Sequence, residues 1–232
     1  MSLSSRLRAG ETVLSAWSSL PEPLTVEILA HSAFDAVTLD MQHGGHDEAS
    51  ILRSLGLVLN AGKPPVVRIP VGRFDMASRA LDFGAHAVIA PMINSVDDAR
   101  RFAAAMKYPP VGERSWGVFR ANADYGAPGS NDYLTTANHD TLAFAMIETR
   151  DAYDALDAIL DVRGIDGVLS ARPIFHRMEQ RTRGEPAFGC NRGTDQQYCT
   201  QGRSSRQDCR HLFAIAGVCA PLYFAGFPVP DN

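Results

Sequence analysis

The chain reads as an α/β protein built on a parallel sheet. Short apolar runs of strand length recur at intervals of about 20 to 30 residues, and segments with helical spacing lie between them. Length agrees: 232 residues are long for one ordinary domain and short for two, which suits one doubly wound sheet or one closed barrel.

Taken in order, the expected strands are Val13–Trp17, Ala36–Asp40, Val66–Ile69, Ala87–Pro91, Ala143–Ile147 and Gly167–Leu169. Between the second and third, Ile51, Leu55, Val58 and Leu59 repeat at the spacing of one helical face. Ala152, Leu156, Ile159 and Leu160 do the same before the sixth. Asp97 with Asp98, and Asp151, fall in expected first helical turns, where carboxylates complement the helix dipole. The stretch Tyr108–Asp140 is the exception, being polar, rich in Gly, Pro and Asn, and long for a connection. Connections of that length are usually functional or disordered.

Composition narrows the partners. A formal charge of −4 and a pI near 6.0 give no reason to expect nucleic acid or an anionic membrane surface, so a small-molecule ligand is the default. No apolar run reaches the roughly 18 residues of a membrane span, and the N-terminus lacks a basic region followed by an apolar stretch. A cytoplasmic location is the expectation.

The averages conceal a break. Residues 1–169 carry 14 basic and 21 acidic groups, whereas 170–232 carry 8 and 5, and all 8 of those basic groups are Arg. All four cysteines, Cys190, Cys199, Cys209 and Cys219, lie in the same tail. Their spacing matches no zinc pattern, and an otherwise cysteine-free cytosolic chain argues against a disulfide framework.

Polar residues gather where the strands end. Thr38–Leu39–Asp40 runs into Met41, Gln42 and His43 and then the flexible pair Gly44–Gly45 before His46. Val66–Val67 ends in Arg68, a third strand closes on Pro91–Met92, and Met146–Ile147 closes on Glu148. The carboxyl ends of parallel strands converge on one ligand site. There a His takes a proton, an Arg stabilises a developing oxyanion, and a carboxylate holds a divalent ion. That set suits proton abstraction next to a carbonyl, or carbon–carbon cleavage through an enolate.

Each residue has a plainer alternative. His43 is an ordinary loop histidine beside Asp40, Arg68 and Glu148 form a structural ion pair, and His46 is a loop or helix-end residue rather than a ligand. Arg150 and Asp151 serve the next helix end, and Met92 and Trp116 are packing.

Six motifs in order then resemble one family. They are Leu39–Asp40–Met41–Gln42–His43–Gly44, Pro65–Val66–Val67–Arg68, Pro91–Met92–Ile93–Asn94 with Ala99–Arg100, Tyr108–Pro109–Pro110–Val111–Gly112–Glu113–Arg114, Ile147–Glu148–Thr149–Arg150 and Ile165–Asp166–Gly167–Val168. Together they resemble the 4-hydroxy-2-oxoheptanedioate and 2-dehydro-3-deoxyglucarate aldolases, class II pyruvate aldolases. The resemblance implies a (β/α)8 TIM barrel, usually a homohexamer, that cleaves 4-hydroxy-2-oxo acids to pyruvate and an aldehyde. It makes His43 the base, oriented by Asp40, that works through water on the aldol hydroxyl. Arg68 becomes the cation beside the 2-oxo group, with Gln42, Pro91 and Met92 also at the substrate. Glu148 becomes one of two carboxylate ligands to Mg, Mn or Co. A metal-stabilised enolate needs no Schiff-base lysine, and neither Lys63 nor Lys107 ends an expected strand. Gln42 departs from the glutamate many relatives carry. An acyl-CoA lyase of the malyl-CoA or citrate lyase type and a non-catalytic 2-oxo acid-binding barrel are the alternatives, the first without a clear basic site for a nucleotide phosphate.

The larger departure follows Val168. Relatives continue into Gly-Pro-Ala-Asp-Leu, whose Asp is the second metal carboxylate, whereas this chain reads Leu169–Ser170–Ala171–Arg172–Pro173–Ile174–Phe175. Codons for 169–175, read from the last base of each, spell Ile-Gly-Pro-Ala-Asp-Leu for allowed wobble choices. One further base on, Ser205 to Phe213 spells His-Gly-Lys-Ile-Ala-Gly-Ile-Tyr, and Leu222 to Phe227 spells Tyr-Thr-Ser-Leu-Gly-Phe. The expectation is an aldolase-type unit over 1–168 followed by a divergent, out-of-frame segment over 169–232 that leaves the barrel's last strands disrupted or missing. A tail with a fold of its own is the alternative. With one metal carboxylate gone, little activity is expected of the chain as it stands.

Overall fold

In a computed structural model the described residues are 2–117 and 130–170, together with the backbone of two short strands, Leu212–Ala214 and Tyr223–Phe224. The chain opens with α1 (Leu3–Arg8), β1 (Ser15–Ser18), α2 (Pro23–Ala30), β2 (Ala36–Asp40), α3 (Glu48–Asn60) and β3 (Pro65–Arg68). It continues through α4 (Phe74–Asp82), β4 (Ala87–Ala90), α5 (Val96–Met106), α6 (Ser130–Asp140) and β5 (Leu142–Ile147). Two short helices, α7 (Arg150–Asp154) and α8 (Leu156–Leu160), lead to β6 (Gly167–Ser170), β7 (Leu212–Ala214) and β8 (Tyr223–Phe224).

Strands β1 to β6 are parallel and neighbour one another in chain order. A doubly wound sheet reverses its order at a switch point. Monotonic order with a helical connection at each step is the arrangement of a (β/α) barrel wall, and all six strands fall where the apolar runs placed them. The end of the sheet departs from that rule. β7 adds to β6 in parallel, but β8 pairs with β7 antiparallel, and these segments are three and two residues long. A (β/α)8 barrel has parallel strands throughout, so its last strands are disrupted here as the sequence implied.

Strand alternation sorts the side chains into two cores. Val37, Leu39, Val67, Val88, Ala143, Ala145 and Val168 face outward against helix residues such as Ile51, Leu55, Leu81 and Phe102. Ala36, Val66, Ala87, Ile89, Leu142, Phe144, Met146 and Leu169 face inward. Leu3 and Leu7 of α1 join the inward set beside residues that start the strands, so α1 plugs the N-terminal mouth. The C-terminal mouth stays polar.

Local signals explain the helix starts. Asp47 caps α3 in a reciprocal box with Ser50, Ser95 caps α5 through the Asp98 N–H, and Thr149 caps α7 through the Ala152 N–H. Two expectations need correction. The helix expected over 152–160 is broken at Ala155, where the backbone leaves helical angles. The expected connection Tyr108–Asp140 contains α6, whose inward stripe is reduced to Tyr133 and Ala137, too thin to register as periodicity. The four cysteines and the codon reading of the tail fall outside the described residues, apart from the backbone of β7 and β8.

Candidate active site

Period-two alternation aims Trp17 of β1, Asp40 of β2 and Arg68 of β3 into the barrel at its C-terminal end, and parallel register sets Asp40 directly beside Arg68. Asp40 is a saturated hub. Arg68 donates from Nε to Oδ1 at 2.8 Å and from Nη2 to Oδ2 at 2.5 Å. The Trp17 indole N–H adds a contact to Oδ2 at 3.2 Å, and the backbone N–H groups of Gln42 and His43 reach Oδ1 at 3.0 and 3.3 Å. Burial pushes the Asp40 carboxyl upward, but Arg68, Trp17 and the loop N–H groups outweigh it and hold it below the usual carboxylate range. Asp40 is therefore an anion that orders its surroundings.

This replaces the pairing of Arg68 with Glu148: the partner of Arg68 is Asp40. It also defines how Asp40 meets His43, through the backbone N–H, while the His43 side chain stands exposed at the mouth.

The loop from Met41 to Asp47 is firmly placed despite its two glycines. Gly45 N–H donates to Ser19 O at 2.8 Å, and any side chain at Gly44 would collide with the Asp40 carbonyl oxygen and crowd Ser19 Cα. His46 is buried, with Nε2 3.0 Å from Ser18 Oγ and Nδ1 3.1 Å from Ser50 Oγ. Burial lowers its pKa against the opposing pull of Asp40 and Asp47. His46 is thus a loop residue whose ring is fixed between Ser18 and Ser50.

Glu148 follows β5 and accepts the Met92 backbone N–H through Oε1 at 2.8 Å. Pro91 is buried, whereas Met92 is 37% exposed and sits at φ 55, a conformation costing a non-glycine residue about 1 kcal/mol. Met92 is thus not core packing but a strained residue presenting its N–H to a carboxylate. Thr149 Oγ1 donates to Asn94 Oδ1 at 2.6 Å and ties the same two strand ends together. Trp116 is 46% exposed and leans on Tyr108 and Tyr133.

Gln42 carries a buried Oε1 that meets no donor among the described residues. That orphaned acceptor and Glu148 are oxygen ligands of the kind a hard divalent ion takes. They do not complete a site: among the described residues no group of three or more His, Cys, Asp and Glu is placed to hold a metal. Lys107 is buried at the opposite end, held by Asp166 and by the carbonyls of Asn138 and Thr141. Trp17 is the site residue that sequence reasoning missed; its position at the end of an inward-facing strand was the available signal.

The family described as HpcH/HpaI aldolase/citrate lyase matches residues 14–173. Over 164 residues the chain is 37% identical to a hydroxypyruvate/pyruvate aldolase of Roseovarius nubinhibens, covering 71% of this chain and 63% of that protein. Over 163 residues it is 35% identical to a 2-keto-3-deoxy-L-rhamnonate aldolase of Shigella sonnei, covering 70% and 61%. The chain thus spans less than two thirds of the length of these curated relatives. Among solved structures, an HpcH/HpaI aldolase from Desulfitobacterium hafniense superposes with a TM-score of 0.72 at 27% identity, covering 87% of this chain and 75% of that one. A family protein from Burkholderia cenocepacia gives 0.69 at 29% identity, covering 86% and 77%.

Proposed function

The chain belongs to the HpcH/HpaI aldolase/citrate lyase family, and on that premise we propose that residues 1–168 carry the 2-oxo acid half of a class II pyruvate aldolase site. The reaction is cleavage of a 4-hydroxy-2-oxo acid to pyruvate and an aldehyde. The observation that carries this reading is Arg68. Its guanidinium is locked edge-on against Asp40 at the barrel mouth, one strand from the loop that bears His43.

The chemistry assigns roles to residues that are present. Arg68 meets the carboxylate and 2-oxo group of the substrate, with Gln42, Pro91 and the Met92 backbone shaping the floor. His43, through a water, takes the proton of the C4 hydroxyl; the C3–C4 bond breaks, its electron pair enters the C2–O group as an enolate, and the aldehyde leaves. Arg68 opposes the developing charge, and a proton returned to C3 gives pyruvate. A divalent ion of the Mg, Mn or Co type would supply Lewis acidity, but the described donors hold only its Glu148 side, so no step is assigned to it.

We propose further that the segment 169–232 is out of frame and that the chain as it stands turns over poorly for want of a second carboxylate. The family match ending at residue 173 supports that boundary. The same shortage of ligands favours one second reading, a barrel that binds a 2-oxo acid without cleaving it. By family analogy the intact protein is a cytoplasmic homo-oligomer with small-molecule partners. No helix among the described residues is long and apolar enough to cross a membrane.

Release of pyruvate from a 4-hydroxy-2-oxo acid, abolished by EDTA, restored by Mn or Mg and collapsed by His43→Ala, is the expected result. Binding of pyruvate or oxaloacetate with no turnover, in folded protein of either reading frame, would replace the aldolase by the binding barrel.

A further inference from the structure

Trp17 makes two contacts that a residue merely filling the barrel mouth has no need to make. Its indole N–H reaches Asp40 Oδ2 at 3.2 Å, and its ring lies 4.8 Å from Arg68 Cζ. The ring belongs to β1, the carboxylate to β2 and the guanidinium to β3, so three successive strands meet in one cluster.

The Arg68 donors are divided accordingly. Nε and one N–H of Nη2 are committed to Asp40, and the guanidinium carbon lies over the indole ring. Among the described residues Nη1 and the outer N–H of Nη2 meet no acceptor and remain as a donor edge. A two-point pair fixes the direction of that edge, but it leaves the guanidinium free to tip about the line joining it to the carboxylate. A ring packed beneath the guanidinium carbon opposes the tipping, and the indole N–H tethers the ring to the carboxylate that holds the guanidinium. An arginine over an aromatic face gains about 0.5 to 2 kcal/mol, more as water is excluded.

We propose that Trp17 is a positioning residue: it fixes the plane of Arg68 so that its free edge addresses the carboxylate of a bound 2-oxo acid. This rests on the reading of the site given above. It assigns to a side chain outside the motif set the task of keeping an arginine oriented while its ligand comes and goes.

The test is a double-mutant cycle on the full chain with pyruvate as the probe, read by calorimetry, with thermal unfolding followed in parallel. Trp17→Phe keeps a ring face and loses the N–H; Trp17→Leu loses both. Pyruvate binding is expected to weaken about threefold in Trp17→Phe and about tenfold or more in Trp17→Leu, from the cation–π range and the tenfold per 1.4 kcal/mol rule. In an Arg68→Ala background the same substitutions should change binding less than twofold, because the residue they act through is gone. Pyruvamide, which keeps the 2-oxo group but lacks the carboxylate, should show a smaller Trp17 effect than pyruvate. A Trp17 effect that survives in Arg68→Ala, or that is equal for pyruvate and pyruvamide, overturns the proposal and leaves a packing role. So does unchanged pyruvate affinity in Trp17→Leu. Failure of the wild-type chain to bind either pyruvate or oxaloacetate is a different result: it removes the 2-oxo acid reading itself and this inference with it.

Discussion

Arg68 and Asp40 meet edge to edge, with two donor–acceptor contacts of 2.8 and 2.5 Å between side chains that are 10% and 2% exposed. Charges this enclosed interact strongly, and loss of one partner leaves the other in poor dielectric surroundings. Asp40→Asn is therefore expected to cost roughly 3 kcal/mol in a urea titration. Asp40 has its folded pKa below the ordinary value, so its contribution is complete above that value and fades as pH falls through the lowered one. The variant should lose stability near neutrality and lose less of what remains on acidification. Equal midpoints at pH 7 would show that the pair does not stabilise the barrel mouth.

The glycine pair supplies an internal control. At Gly44 a new Cβ would meet backbone on both sides, the Asp40 carbonyl oxygen and Ser19 Cα, neither of which can rotate away. At Gly45 it would meet Pro21 Cδ at 3.1 Å, the edge of a ring on an adjoining loop. Gly44→Ala should destabilise by about 2 kcal/mol or more, and Gly45→Ala by less than about 1. Because the Asp40 carbonyl is the atom displaced, Gly44→Ala should also weaken pyruvate binding. Comparable unfolding midpoints for the two variants would contradict the close approach.

Acid sensitivity has a source at the other end of the barrel. His86 starts the step into β4, its N–H donates to Pro65 O at 2.9 Å, and both ring nitrogens are shielded from solvent. Burial pushes its pKa down to about 4, against an upward pull from Asp140. The unfolded chain takes up this proton first, near pH 6.5, so the neutral ring's contribution is complete above that pH and declines between it and pH 4. Stability should fall by about 2 kcal/mol between pH 7.5 and 5, and His86→Gln should flatten that slope. A slope unchanged in the variant would place the acid response elsewhere.

Much of this organisation was legible before any coordinates. Fully buried parallel strands are continuous apolar runs, and Val37–Leu39, Val66–Val67 and Ala143–Ala145 register without ambiguity. The gathering of Asp40, Arg68 and Glu148 at one mouth follows from all strands pointing one way. Partner choice was not legible. Arg68 lies in register beside Asp40, while Glu148 is taken by the Met92 N–H, and both outcomes depend on strand neighbours that sequence order suggests but does not rank. Trp17 escaped notice because an aromatic at a strand end looks like packing until the cation beneath it is seen. Helix α6 escaped because two buried residues make no visible period.

The last prediction concerns the reading frame. Strand β6 pairs with β5 so that Ser170 lies opposite Ile147, the residue before Glu148. The second oxygen ligand proposed above would follow Ser170 in sequence, where the frame as it stands reads Ala171, Arg172 and Pro173. An arginine offers a divalent ion no oxygen ligand. On the proposed frame reading, the shifted codons spell Gly-Pro-Ala-Asp-Leu for allowed wobble choices, and the frame one base further spells segments that resemble the family's later strand and helix. A chain with the frame restored from codon 169 should bind Mn measurably by electron paramagnetic resonance, melt higher and release pyruvate far faster than the chain as it stands. Intact mass and an uninterrupted gene read establish which chain is in hand. If the 232-residue chain, so verified, binds Mn and turns over as well as the restored one, the tail is a working part of the protein and the frame reading fails.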